Sequence, residues 1–473
     1  MLRRLIAVLC FALAAVLLAL LAQQRTRHGI DHAAAAERAI WASGHTPWDW
    51  APRQAQDVIA GRAFGDAVLH GDPRGLRIDS STGEAYELGL RLPRALPLAS
   101  LPRLRLASAA NAPTLLRFVL AETVGAPLLV SAPIELPAAD TRTSIDLRRL
   151  SWQRADGTVA SLPTQAGMLR LRVHQPADSE FLVRGIDWLG ANGHVPAEAT
   201  IPRVTLPQGA SAEALLALRD RIHRAWPLVR VSASSDITSA TPRTSRAGSS
   251  APGLLWCAGV IVLLILRWRG MRSRIFELLE IIAVTAPALI ITIGLIDPST
   301  APRGSWLAVG TSMACAIALA WLAWPAQWQL WTSSVAAWAT ALLPLACAAA
   351  WAMSSTDKPE WPTPPHVLRY FGWALLQQAL MLAVVAPRIA VRIRSRAACA
   401  LAVGILFALM HTPNATLMVS CLAAEAWWAW SFLRHRALLP VAIAHAASAL
   451  MLESALIGLP LRSLEVGARF LTM

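Results

Sequence analysis

Two adjacent glutamines, Gln377 and Gln378, two histidines 34 positions apart, His411 and His445, and Ser448 three positions further on stand in strongly apolar surroundings between Trp373 and Leu450. Hydrocarbon does not solvate such groups, so they are expected to face a bundle interior and to mark a site. As a set they suit hydrolysis of a carbonyl. An imidazole can take a proton from water, an amide can orient that water, and N–H or O–H donors can hold the developing oxyanion. His445 and Ser448 share one helix face at a spacing of three, and Phe407 and His411 do so at four. At 1.5 Å per residue, Gln377, His445 and His411 lie roughly 16, 12 and 21 Å from the cytoplasmic ends of their expected spans, a spread that tilt or a break near Thr412-Pro413 must close. Simpler readings stand beside this one. The glutamines could bond neighbouring helices, and His411 could sit at an interface. Two histidines without a third ligand do not make a metal site. The chain shows no GxGxxG, GxxxxGK or HExxH motif, so neither a metal nor a cofactor is expected.

The elements that must position these groups are apolar segments. Of 473 residues 55% are hydrophobic, 15% charged and 20 are Trp, too apolar for a soluble protein and too interrupted for a purely membrane one. Spans are expected near 5–22, 253–268, 278–296, 304–323, 331–353, 369–387, 397–412, 415–433 and 437–457. The net charge of +14 is almost wholly arginine, Lys358 being the only lysine. With nine spans, Arg3/Arg4, Arg267/Arg269/Arg272/Arg274, Arg388/Arg392/Arg394/Arg396 and Arg434/Arg436 all fall on one side, which is the pattern of topogenic loops and not of a nucleic-acid surface. That places residues 25–250 on the opposite side, the periplasm of a bacterial cell, with the chain in the inner membrane. All six cysteines lie in apolar segments, none in a CxxC pair, which argues against a disulfide framework.

Between the first span and the rest, alternating segments read as strands: 85–92, 101–106, 115–120, 128–136, 143–147, 168–173 and 181–188, punctuated by Pro, Gly, Asp and Asn. A helix over 211–224 and a strand near 228–231 follow. The expected architecture is a mainly α polytopic bundle of about eight C-terminal helices plus one N-terminal anchor, with an inserted all-β, jelly-roll-like sandwich. Its expected divisions are an anchor at 1–24, uncleaved, a sandwich with a short helical tail at 25–232, a Ser/Thr/Arg-rich linker at 233–252 and the membrane bundle at 253–473.

The C-terminal motifs resemble those of the CAAX-processing and bacteriocin-immunity family of intramembrane glutamic-type proteases, whose pattern is EExxxR, then FxxxH, then HxxxN. Phe407-Ala-Leu-Met-His411 matches the second motif in full. His445-Ala-Ala-Ser448 resembles the third, with Ser448 one position short of the usual Asn. Gln377-Gln378 occupies the first, but both glutamates are replaced and no arginine follows at the expected place. The resemblance implies an intramembrane peptidase acting on membrane-anchored polypeptides, in contact with lipid. In it Gln377 and Gln378 position water or the scissile carbonyl, His411 serves as base or water ligand, and His445 with Ser448 stabilises the oxyanion. A glutamine has no useful basicity, however, and Glu425 and Glu453 are the nearby acids that could substitute. The alternative is an inactive membrane scaffold whose β domain binds a glycan or protein partner.

Overall fold

The computed structural model describes residues 2–123, 125–235, 251–292, 303–323, 334–355, 362–455 and 464–472. The chain divides into two compact units, one comprising Met1–Gly29, Pro207–Leu216 and Arg243–Met473, the other Ile30–Leu206 and Ala217–Pro242. The helices are α1 Leu2–Ala42, α2 Ala212–Ala225, α3 Ala251–Trp268, α4 Arg274–Thr292, α5 Arg303–Ala323, α6 Val335–Ala341, α7 Leu343–Ser355, α8 Pro364–Gln378, α9 Ala386–Arg392, α10 Arg396–Leu409, α11 Ala415–His435, α12 Leu439–Ala455 and α13 Gly467–Thr472.

Five described stretches are long and apolar enough to cross a membrane: Leu5–Ala42, Ala251–Trp268, Arg274–Thr292, Val335–Ser355 and Pro364–Arg392. Three shorter apolar helices, Trp306–Leu322, Arg396–Leu409 and Leu439–Ala455, accompany them. Leu255, Ile275 and Leu368 are all more than two-thirds exposed, as side chains that face lipid are. The chain is a multi-pass membrane protein. Helix α1 continues well past the expected end of the anchor at residue 24, because residues 23–42 hold helix-forming Ala, Gln, Arg and Glu and no proline. The linker, from residue 236, and parts of the spans expected at 278–296, 331–353 and 437–457 lie outside the described residues.

The second unit is an all-β sandwich. One antiparallel sheet has Val68–Asp72, Gly75–Ser80, Ser179–Leu189, Arg103–Ala110 and Asp140–Asp146 in that spatial order. The other runs Val159–Ala160, Trp152–Arg154, Leu129–Ser131, Thr114–Ala121, Met168–His174 and Tyr86–Gly89. Alternation decides which face is inside: Leu116, Phe118 and Leu120 of one sheet and Leu104, Leu106, Phe181 and Val183 of the other join one buried cluster, while Arg117, Arg105 and Arg142 point out. The hairpin Val68–Ser80 lies outside the segments that alternation singled out. Its turn at Gly75 packs so close to the Val183 carbonyl that a Cβ would sit 2.3 Å from that oxygen, so the position requires glycine.

Candidate functional site

Four helices of the membrane unit carry the polar side chains, and local chemistry sets where each begins or bends. Ser395 caps α10 by accepting from Ala398 N, and Asn414 caps α11 by accepting from Leu417 N, 3.1 Å. Between α8 and α9 the helix widens into a π-helical turn over Ala379–Val385, where Ala386 N–H donates to Met381 O, five residues back. Pro387 lacks an N–H, and its ring crowds the carbonyl four residues earlier, so the ladder must be re-registered before it. Arg388 Nη1 donates to the Val384 carbonyl at 2.7 Å, satisfying an acceptor at that shift. Its Nε bonds the buried Glu280, which Arg267 also approaches at 3.2 Å. Helix α11 is fixed to α6 by two indoles, Trp427 donating to Thr340 O at 2.7 Å and Trp428 to Ala341 O at 3.0 Å. It also lies close against α10: a Cβ on Gly404 would meet Ala426 Cβ and N and Leu422 O at 3.0 Å. That close approach turns Glu425, next to Ala426, inward.

At the centre sits the Gln378 amide, fully buried. Its Nε2 donates to Glu425 Oε2 at 2.8 Å and to His445 Nδ1 at 3.0 Å, tying α8, α11 and α12 together. The carboxylate settles the amide's orientation, since an amide oxygen facing it would be repelled. His445 Nδ1 therefore accepts, and its proton resides on Nε2. Rings surround this imidazole: Trp428 at 5.3 Å between centroids and Phe407 edge-on at 5.6 Å. Phe407 in turn lies 4.8 Å from the His411 ring. His411 follows the end of α10, and its Nδ1 is 2.8 Å from the Phe407 carbonyl, which can only accept, so the proton is on Nδ1 and Nε2 offers a lone pair. The two histidines thus carry opposite tautomers, one offering a donor and the other an acceptor.

Of the residues singled out from sequence, Gln378 and His445 are hydrogen-bonded directly and His411 joins them through Phe407. Ser448 is buried on the His445 helix with its hydroxyl donating to Ala444 O at 2.7 Å. Gln377 is half-buried and forms no side-chain hydrogen bond among the described residues. Glu453 pairs with His366 at 3.0 Å. Glu425 is the acid that meets the set, and its signal in the sequence was the same one that marked the glutamines, a lone polar side chain in an apolar helix. Two atoms there, Gln378 Oε1 and Glu425 Oε1, are buried with no hydrogen-bond partner among the described residues. No metal-ligating cluster forms here; the one His/Asp group of the described residues, His45, Asp49 and Asp187, lies in the sandwich unit.

No curated protein matches the chain. Among solved structures, a family 11 carbohydrate-binding module of the cellulosomal cellulase Lic26A-Cel5E of Clostridium thermocellum is similar at 13% identity and a TM-score of 0.22, over 27% of this chain and 83% of that one; so low a likeness carries no inference about fold or ligand. Residues 359–451, which span Gln377, Gln378, His411, Glu425, His445 and Ser448, match the family model described as "Type II CAAX prenyl endopeptidase Rce1-like", the family to which the motifs of this segment are similar.

Proposed function

We propose that this protein is an intramembrane CAAX-protease-like peptidase that cleaves membrane-anchored polypeptides at a site centred on Gln378, His411 and His445. The observation that carries the reading is the buried bond from Gln378 to His445, within the segment that matches an endopeptidase family. An amide bonded to one imidazole, with a second imidazole linked through the Phe407 ring, in a helical unit with lipid-facing sides, fits a lipid-borne chain better than a soluble one. His445 Nε2–H is the donor for the oxyanion, and the His411 Nε2 lone pair is free to accept a hydrogen bond from the substrate or from a second water. Gln378 fixes the His445 tautomer, with Gln377 beside it toward the substrate. Ser448 would have to release the Ala444 carbonyl before it could donate to an oxyanion, so its role is to accept or to pack. No metal or cofactor is part of this reading.

The side assignment follows from charge. Arginine clusters after α3 and around α9 suit the cytoplasmic face of a bacterial inner membrane, which puts the sandwich in the periplasm, where a glycan or a protein is its candidate partner.

A second reading has one specific observation in its favour, the glutamines in place of both glutamates: a catalytically inactive scaffold that binds such a client without cutting it. The test compares the wild-type chain with His445→Ala in lipid vesicles, using a quenched farnesylated peptide ending in a CAAX tetrapeptide. The peptidase reading expects cleavage that falls about a hundredfold or more in the variant. Equal binding of the peptide by both forms, with no product from either, would establish the scaffold instead.

A further inference from the structure

The site lacks a base at the positions where the motif would put one, yet it contains a carboxylate that arrives from another helix. The described buried acids of the membrane unit are Glu280 and Glu425. Glu280 is neutralised by Arg388 and Arg267. Glu425 has no cation within ion-pair distance among the described residues, and its hydrogen-bond partner there is the Gln378 amide at 2.8 Å. The amide N–H occupies one carboxylate oxygen, while the other oxygen, Oε1, is buried and unpartnered among the described residues. On the amide bonded to this carboxylate, Gln378 Oε1 is likewise buried and unpartnered among the described residues. Two acceptors without donors on a bonded pair of groups are the complement of a water molecule, which has two hydrogens to give and keeps its lone pairs free.

Resting on the peptidase reading, we propose that Glu425 is the general base of this site. It holds the nucleophilic water jointly with Gln378 Oε1, so that the carboxylate has moved from α8 to α11 and the amide has taken its place. In the step, the water oxygen attacks the scissile carbonyl carbon while one water proton passes to Glu425. The oxyanion is held by His445 Nε2–H. The carbon–nitrogen bond then breaks, the proton on Glu425 goes to the leaving nitrogen, and the products are a carboxylic acid and an amine with Glu425 ionised again. Glu425 is thus the base, and Gln378 is a catalytic residue too, as the second acceptor that orients the water.

The experiment measures kcat and KM on the same farnesylated CAAX peptide for the full chain in phosphatidylethanolamine/phosphatidylglycerol vesicles, as wild type, Glu425→Gln and the exchanged pair Gln378→Glu/Glu425→Gln. The expected result is a loss in kcat of about a hundredfold or more for Glu425→Gln with KM within about threefold, and recovery of at least about tenfold in the exchanged pair, which restores one carboxylate and one amide in reverse order. Thermal unfolding followed by Trp fluorescence reports folding; should Glu425→Gln not fold, the exchanged pair alone decides, and a folded but inactive pair overturns the proposal. Wild-type cleavage with an equally active Glu425→Gln overturns the role of Glu425 and leaves the peptidase reading intact. A wild type that cleaves nothing overturns both, and so the two failures are told apart.

Discussion

An amide at position 378 can donate two hydrogen bonds from one nitrogen, and both are used, to Glu425 and to His445. On basicity alone Gln378→Glu would be an improvement, since it supplies a basic oxygen. The structure reverses the sign: a carboxylate there would face Glu425 Oε2 across 2.8 Å, and two such groups cannot both ionise. Gln378→Glu is expected to lower stability by about 1–3 kcal/mol, read as a lower unfolding midpoint in detergent; an unchanged or higher midpoint would contradict the described bonds. In the sandwich unit a half-buried histidine makes a pH prediction. Burial, with Arg94 and Arg219 adding to it, lowers His223 to about 3, against 6.5 for the free side chain. A folded value below the unfolded one means that stability is fully present above about pH 6.5 and declines as pH falls toward 3. Glu87 adds to the lower part of that window: burial alone would raise it, but hydrogen bonds from Arg170 and Arg172 outweigh burial and lower it below 4.5. Protection of the strand amides, taken relative to the intrinsic exchange rate at each pH, should therefore fall between pH 6.5 and 4.5, and less so in His223→Gln; a variant that follows the wild-type curve would show that His223 does not set the decline.

Helices explain why single polar residues were legible and their partners were not. Each of Gln378, His411 and His445 interrupts an apolar run, and that interruption can be read directly from the chain. Which of them meet depends on how α8, α11 and α12 are rotated and shifted against each other, which periodicity within one helix does not encode. The π-helical turn after Gln378 shifts register in a way that no spacing rule anticipates, although Pro387 marks its place. Glu453 drew attention through its distance along α12, yet Glu425 arrives from α11 because Gly404 lets that helix approach. The strands were legible where alternation was long, as in Thr114–Ala121 and Met168–His174. The Gly404 contact can be tested. Gly404→Leu adds four carbons where even a Cβ is already at 3.0 Å from backbone, and is expected to cost about 1–3 kcal/mol or more and to lower peptide cleavage by displacing Glu425. A variant with wild-type midpoint and rate would show that α10 and α11 are not held so closely.

For the molecule as a whole, the arginine clusters predict which side each loop faces. Alkaline phosphatase fused after Ser234 should be active and after Ser395 inactive, and the opposite pattern would reverse the orientation. Inside that frame the central claim is that residues from different helices act as one hydrolytic unit. Groups that act as a unit are non-additive: once one is gone, removing another costs little more. The most direct measurement is the cleavage rate of His411→Ala, His445→Ala and the double variant on the farnesylated peptide. Losses of about a hundredfold or more are expected for each single variant, with the double variant within about threefold of the slower single. Losses that multiply in the double variant, or single variants that cut at the wild-type rate, would contradict that claim.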